Sequence, residues 1–248
     1  KKYWDLYDRS SIPIASDPFI PQNVHPNSVG KMGEFYNYKL SDEKPTLDQS
    51  VSDVYARKLI HGYYASVSYI DHLIGELLLE LKSLELDKET IVVLWGDHGW
   101  HLGNDRKWGK HSLFERSLKS ALIVKLPGVN HASKEINNIV ETVDLYPTLL
   151  DFCGIGKPYE LDGKSLMELI QTGKSNHQNR AFGFWKNGVS LKTDRYRLTK
   201  FFREEEPIIE LYDHLLDPEE NINIAFEHQK IVDSLMPVLE KVTPEFYL

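Results

Sequence analysis

The chain has 248 residues, 41% of them hydrophobic, and a formal net charge of −8. This length and composition are typical of a globular fold with one large domain, alone or beside a smaller one. The acidic balance argues against a broad nucleic-acid interface, which needs a clustered basic face. No apolar run approaches the roughly 20 residues that span a bilayer, so we expect no membrane segment.

The first half of the chain predicts a long loop, a long helix and a buried strand. Residues 1–50 are rich in Pro, Asn, Asp and Ser, which predicts an ordered loop rather than a domain. From about Asp53 to Leu86, apolar residues recur at spacings of three and four, which predicts one amphipathic helix. Its histidines, His61 and His72, are expected to be core or surface residues. The apolar, partly β-branched residues 90–95 predict a strand buried on both faces and half of a parallel-sheet unit.

The next segment predicts a neighbouring strand and two helices. Ala121–Leu126 is a second short apolar run, and it ends at Pro127-Gly128. Asp144 is the cap candidate of a helix that a glycine pair ends. The turn Asp162–Leu166 then leads into a short helix that reaches about Ile170.

After Thr172, short segments separated by turn residues predict a small antiparallel sheet. A last helix from about Asn223 to Val242 is expected to pack on this sheet. The sequence therefore predicts two domains, residues 1–172 and residues 173–248. The predicted strands are Ala181–Trp185, Gly188–Lys192, Tyr196–Phe201 and Ile208–Tyr212. The apolar stripe of the last helix is formed by Ile231, Leu235, Val238 and Leu239.

The end of the first predicted strand carries Asp97 and His98 between two glycines. In open α/β sheets, ligands bind beyond the carboxyl ends of the strands, and flanking glycines let backbone and ligand approach closely. This placement favours a divalent cation site over a pair that only closes the strand. A carboxylate suits calcium or magnesium and an imidazole suits other metals, so the residues alone leave the metal open.

A cation-rich loop follows the strand end. Arg106, Lys107 and Lys110 fall within five residues. Alone, this pattern is typical of a solvated turn, but beside a metal it could hold a tetrahedral oxyanion, with Lys110 as the strongest candidate. The nearby Trp100 and His101 could be packing residues or substrate contacts alike.

No nucleophile is evident in the chain. The sequence lacks a Gly-x-Ser-x-Gly elbow, a phosphate-binding glycine loop, a dinucleotide fingerprint and a His-Glu-x-x-His zinc helix. Cys153, the only cysteine, lies at an apolar helix end with no basic neighbour before Lys157. This setting predicts a buried, inert thiol.

A set of short motifs follows the strand end in a fixed order. They are Asp97-His98-Gly99, Leu102-Gly103, Trp108-Gly109-Lys110, Pro127-Gly128, Val143–Leu150, Asp162–Leu166, Glu210–Asp213 and Asp217–Asn221 followed by Asn223. As a set they resemble the type I, formylglycine-dependent sulfatases, over about residues 53–226. Two stretches, Ala65–Asp71 and Asp97–Trp100, look most like the iduronate-2-sulfatase branch.

The resemblance implies an α/β fold of the alkaline-phosphatase-like sulfatase type. Residues 1–172 would be the C-terminal part of the large domain, with part of its mixed sheet flanked by helices. Residues 173–248 would be a small domain with an antiparallel sheet and a helix. The resemblance also implies a calcium site with two groups of ligands, of which Asp97 and His98 match the second.

The resemblance assigns the remaining site residues as well. Lys110 matches the lysine that contacts the sulfate ester. The expected substrate-binding residues are Trp100, His101, Lys107 and His111. The nucleophile would be a formylglycine made from a Cys or Ser that is followed, two and four places on, by Pro and Arg. Cys153 has neither neighbour. We therefore expect the nucleophile to lie on a missing N-terminal half of the enzyme. The start of the chain at Lys1, without a Met, also points to a missing upstream part. We expect no activity from this chain alone.

The implied substrate is a sulfated carbohydrate, most specifically a 2-O-sulfated uronic acid. The alternatives are a phosphodiesterase or phosphonate hydrolase of the same superfamily, and a non-catalytic protein that binds sulfated glycans. The resemblance suggests a periplasmic, secreted or lysosomal protein, although the chain itself does not identify a compartment.

Overall fold

The computed structural model describes residues 1–38, 43–127, 135–174, 178–202 and 206–243. The chain divides into two compact units. The first comprises Lys1–Pro21 and Pro26–His131, and the second comprises Gln22–His25 and Ala132–Leu248. The predicted domain boundary after residue 172 stays a prediction. No helix of the described residues has both the length and the apolar character needed to cross a membrane.

The N-terminal segment of the first unit is mostly irregular, as predicted. Its regular pieces are single turns: Trp4–Leu6, Arg9–Ser11, Phe35–Asn37 and the short helix α1, Pro26–Val29. An apolar cluster joins this segment to the long helix and to the loop beyond the first strand. The buried members of the cluster are Ile12, Met32, Phe35, Ala56, Ile60 and Trp108.

The long helix α2 spans Asp53–Ser83 and confirms the prediction of one continuous amphipathic helix. Ser52 caps it, because its hydroxyl accepts from the backbone N–H of Tyr55 at 3.2 Å. Its buried residues lie in the first turns, and they include His61 but not His72. Farther along the helix, several large apolar side chains are exposed. They include Val67, Tyr69, Ile70, Leu77, Leu78 and Leu79.

The strands of the first unit are short and paired two by two. β1, Val92–Trp95, pairs with β4, Leu122–Lys125, while β2, His101–Leu102, pairs with β3, Trp108–Gly109. Both pairings are antiparallel. The expectation that β1 is parallel and buried on both faces is therefore wrong for the described residues. β1 has one neighbouring strand there, and the Trp95 side chain is 48% exposed.

The helices α4, Leu145–Phe152, and α5, Met167–Thr172, belong to the second unit. The short helix α3, Glu115–Leu118, belongs to the first unit. Asp144 is the N-cap residue of α4, as predicted, although its backbone angles are helical and its side chain makes no capping hydrogen bond. Its carboxylate instead accepts from the backbone N–H groups of Glu141 and Lys164.

Cys153 is exposed, so the prediction of a buried thiol is wrong. The α4 helix ends at Phe152, and Gly154 follows with a φ of 65°. Cys153 therefore lies in the turn that leaves the helix, outside the face that α4 buries.

The four predicted strands near the C-terminus are confirmed almost residue by residue. β5, Arg180–Trp185, β6, Gly188–Thr193, β7, Tyr196–Phe201, and β8, Ile208–Asp213, form one antiparallel sheet in chain order. The helix α6, Gln229–Glu240, packs on it. The core of this unit contains Val189, Leu191, Leu198, Leu211, Val232 and Leu239, and the predicted helix stripe contacts it.

α6 begins later than the sequence predicts. The carboxamide oxygen of Asn223 accepts from the backbone N–H groups of Leu211 and Ala225. Asn223 therefore fastens the chain beside β8 rather than starting the helix.

Candidate metal and anion site

A tight turn after β1 presents Asp97 and His98. The N–H of Gly96 donates to the carbonyl of Ala121, the residue before β4, at 2.9 Å. The N–H of Gly99 donates to the Ser117 carbonyl at 2.8 Å. A Cβ at Gly99 would collide with backbone carbonyls around α3, so no larger residue fits there. The two polar side chains are thus held between two anchored glycines.

The geometry of Asp97 and His98 fits two ligands of one cation. The Asp97 carboxylate is 75% exposed, and its Oδ2 lies 3.3 Å from His98 Nε2. The Nδ1–H of His98 donates to the Gly99 carbonyl at 2.9 Å. A carbonyl only accepts, so Nδ1 carries the hydrogen of this bond, and in the neutral imidazole the Nε2 lone pair would be available to a cation. Two ligand atoms that each lie about 2.3–2.6 Å from one cation, at a right angle to each other, are roughly 3.3–3.7 Å apart. The distance between Asp97 Oδ2 and His98 Nε2 falls in this range.

The chemistry of this donor pair is compatible with calcium but incomplete for it. Calcium takes six to eight oxygen ligands, whereas Asp97 and His98 offer one carboxylate and one imidazole. The remaining ligands would have to come from elsewhere. The role of the two residues as metal ligands stays a prediction.

Lys110 lies beside this turn and is partly exposed, at 27%. Its Nζ is 5.9 Å from the ring centroid of Trp100, whose ring is in turn 6.2 Å from that of His98. Lys110 also forms an ion pair with Glu34 at 3.2 Å, and His111 Nε2 lies 3.7 Å from the same carboxylate. These contacts link Lys110 to the Asp97-His98 turn through Trp100, and they link His111 to Lys110 through Glu34.

Glu34 is the residue that sequence reasoning missed. It stands in the Pro- and Asn-rich segment far upstream of Lys110, with no motif around it. Only the fold brings it to the cation-rich loop, and no local signal could have identified it.

Two predicted substrate contacts are enclosed in this structure. Lys107 has no exposed side-chain area, and its ammonium donates to the Val29 carbonyl at 2.6 Å. His101 is equally buried. The substrate-binding role of both residues stays a prediction, but their positions favour holding the loop in place.

A buried polar network fixes the ends of the cation-rich loop. His101 Nδ1 lies 3.0 Å from the Asp105 carboxylate, and its Nε2 lies 2.9 Å from the Ser112 hydroxyl. The Ser112 hydroxyl is 2.7 Å from that of Ser117. The loop residues before and after Lys110 are thus tied to each other and to α3. The Asp–His–Ser order is that of a catalytic triad, yet Ser112 is buried and offers no accessible nucleophile.

Comparison with protein-family models decides the affiliation of the chain. Residues 19–155 match the model described as "Sulfatase", and residues 96–245 match "N-sulphoglucosamine sulphohydrolase, C-terminal". The chain belongs to the sulfatase family. Its resemblance to sulfatases and its alkaline-phosphatase-like fold are both confirmed.

Relatives within the sulfatase family cover most of the chain. A sulfatase of Formosa agariphila is 31% identical over 246 residues, which is 97% of this chain and 46% of that protein. Mouse arylsulfatase K is 32% identical over 73% of the chain and 35% of its own length. Human iduronate 2-sulfatase is 28% identical over 71% of the chain and 37% of its own length. The chain thus spans less than half the length of these curated relatives.

Solved structures share the fold. The phosphonate monoester hydrolase of Agrobacterium radiobacter superposes with a TM-score of 0.80 at 20% identity, over 97% of this chain and 53% of that one. A structure described as a 2-O GAG sulfatase superposes with a TM-score of 0.68 at 26% identity, over 77% of this chain and 44% of that one. At 20% identity the hydrolase shows the fold alone. Sulfatases generally use a divalent metal.

Proposed function

We propose that this chain is part of an enzyme that hydrolyses sulfate esters on a carbohydrate, and that the ester is the 2-O-sulfate of a uronic acid. The observation that carries the proposal is that the Trp100 ring lies next to both the His98 ring of the two-donor pair and the ammonium of Lys110. The names of two similar proteins, iduronate 2-sulfatase and a 2-O GAG sulfatase, support the choice of sugar.

Each residue of the site has a distinct task. Asp97 and His98 would hold calcium, which supplies positive charge next to the sulfate oxygens when it is bound. Lys110 offsets negative charge on the same oxygens from its own side. Trp100 lies between these groups and limits access of water to them. Glu34 holds the Lys110 ammonium in place through their ion pair.

The nucleophile and the other metal ligands are proposed to lie on the N-terminal half of the enzyme, the expected partner of this chain. The curated relatives are more than twice as long as their matched parts. The exposed apolar residues of α2, Val67, Ile70 and Leu77 among them, also offer a surface that further parts of the fold would cover.

The test is a sulfate-release assay on the full-length product of the gene with a 2-O-sulfated uronic acid disaccharide. We expect calcium-dependent turnover, and a loss of at least about 100-fold in kcat/KM for Asp97→Ala. The matched control is Asp233→Ala, which removes an exposed carboxylate of α6. The 248-residue chain on its own is expected to release no sulfate.

The outcomes separate the parts of the proposal. Full activity of Asp97→Ala would show that the metal assignment is wrong. Faster release from a 6-O-sulfated glucosamine would overturn the uronic acid while keeping the sulfatase. Hydrolysis of a phosphonate ester but of no sulfate ester would establish the hydrolase alternative, and glycan binding without turnover of either ester would indicate the non-catalytic one.

A further inference from the structure

A cleft of about 560 Å³ in the first unit adjoins the candidate anion site. This volume falls within the roughly 300–1,000 Å³ of small-molecule sites. Its lining comes from the N-terminal segment, from α2 and from the loop after β1. The residues that matter here are Trp4, Tyr38, Lys58, Gly62, Tyr63 and Trp100.

Trp100 belongs to both the cleft and the anion site. Its ring lines the cleft, and the Lys110 ammonium lies 5.9 Å from the centroid of that ring. A molecule whose anionic group is held at Lys110 can therefore extend directly into the cleft.

The cleft is built from rings that remain exposed. Trp4, Tyr38 and Tyr63 are all exposed although each is a large aromatic residue. A Cβ at Gly62 would lie 3.7 Å from the Trp4 ring, an ordinary van der Waals contact, so a side chain longer than a methyl group would occupy the space beside that ring. Exposed rings gathered around a cavity mark a binding surface, and they offer flat faces to the C–H side of a sugar ring.

The charge of the cleft selects an anionic occupant. Lys58 is the one charged residue of the described lining, and its ammonium lies 5.5 Å from the Tyr55 ring. In a chain of net charge −8, Lys58 places a positive charge at the cleft, whereas the charge of Lys110 is offset by Glu34 through their ion pair. A glycan with an acid group on successive rings would offer one anionic group to Lys110 and another to Lys58.

We propose that the cleft binds the sugar ring next to the sulfated one in a polyanionic glycan. The C–H face of that ring lies on the aromatic side chains, and its acid group points toward Lys58. This inference rests on the proposed function, because it takes the sulfated ring itself to be at Lys110.

The experiment compares two substrates of the full-length gene product. One is the methyl glycoside of 2-O-sulfated uronic acid, with a single ring, and the other is the same ring linked to a sulfated glucosamine. We expect the two-ring substrate to have a KM about tenfold lower, which is the scale of one or two ring contacts.

Gly62→Leu fills the cleft. It should raise the KM of the two-ring substrate about tenfold and leave that of the single ring within about twofold. Gly75→Leu is the matched control on the same helix, where a Cβ meets no atom within 4 Å. It should change neither KM.

A second variant and a second readout guard against loss of folding. Lys58→Met should raise the KM of the two-ring substrate severalfold without affecting the single ring. Since Trp4 and Trp100 line the cleft, the desulfated disaccharide should also change tryptophan emission in the wild type and not in Gly62→Leu. This readout needs no turnover.

Failure of the cleft and failure of the proposed function look different. Equal KM values for the two substrates, or a Gly62→Leu that loses stability at unchanged KM, would overturn the cleft and leave the activity standing. A loss of stability in Gly62→Leu at unchanged KM would mean that another part of the polypeptide fills the cleft. An emission change without sulfate release from either substrate would support the cleft and overturn the activity.

Discussion

The two units of this chain hold their strands in opposite ways. In the second unit, β5 to β8 pair in chain order and α6 packs on their apolar core. In the first unit, β1 and β4 form a two-stranded pair whose Trp95 side chain is half exposed. We call the second unit the closed unit, because its sheet and α6 enclose one apolar core. We call the first unit the open unit, because its β1–β4 pair leaves a large apolar side chain exposed; it carries the candidate site.

The largest expected effect concerns the closed unit. Arg197 is buried, and it donates to Glu220 at 2.6 Å and to Ser190 at 3.1 Å. Arg197→Met should destabilise the unit by about 3–5 kcal/mol, because it leaves the Glu220 charge buried beside fewer donors. Hydrogen exchange of the β6–β8 amides in the full-length product measures the loss.

The control is Lys200→Met, which removes a more exposed ion pair with Glu240. It should cost at most about 1 kcal/mol. Equal effects of the two variants would mean that the closed unit does not depend on its buried pair.

In the open unit, two lysines of one loop should separate function from stability. Lys110→Met should lower kcat/KM by about 100- to 1,000-fold at nearly unchanged Tm, because its ammonium faces the anion site. Lys107→Met should lower Tm, because the Val29 carbonyl loses a buried donor. A large kcat/KM loss for Lys107→Met at unchanged Tm would establish the predicted substrate contact instead.

A smaller effect is expected from the network that ties the loop. Ser112→Ala removes the hydroxyl between His101 and Ser117, which should cost about 1–3 kcal/mol. Urea denaturation measures this cost, and Ser66→Ala, an exposed helix serine, is the control. No change in stability would show that the loop does not need the network.

The smallest effect depends on pH. The guanidinium of Arg195 donates two hydrogen bonds to Asp213 and lowers the pKa of that carboxyl below its ordinary 3.8. The pair therefore stabilises the sheet above about pH 4, and this contribution is lost as the pH falls through the lower, folded-state pKa. The stability difference between wild type and Arg195→Met should shrink below pH 4. A difference that grows there would contradict this sign.

The closed unit was predictable because its signals are local. Turn residues such as Lys186-Asn187 and Asp194-Arg195 separate the strands of the sheet, and each strand pairs with the next one along the chain. The spacing of apolar residues likewise located α2 within a few residues of its ends.

The open unit was less predictable because its decisive contacts are distant in sequence. The apolar run of β1 does not specify which strand lies beside it or how many. Lys107 and Lys110 are the same residue type in the same loop, yet the Lys107 ammonium is buried against the Val29 carbonyl and Lys110 is partly exposed. Glu34 reaches Lys110 across a segment that carries no pattern at all.

The carboxylate of Glu34 also bears on how a product would leave the site. A sulfate monoester carries one negative charge and inorganic sulfate carries two, so a fixed carboxylate 3.2 Å from the Lys110 ammonium repels the product more strongly than the reactant. In an enzyme with the proposed activity, this repulsion would limit inhibition by accumulated sulfate.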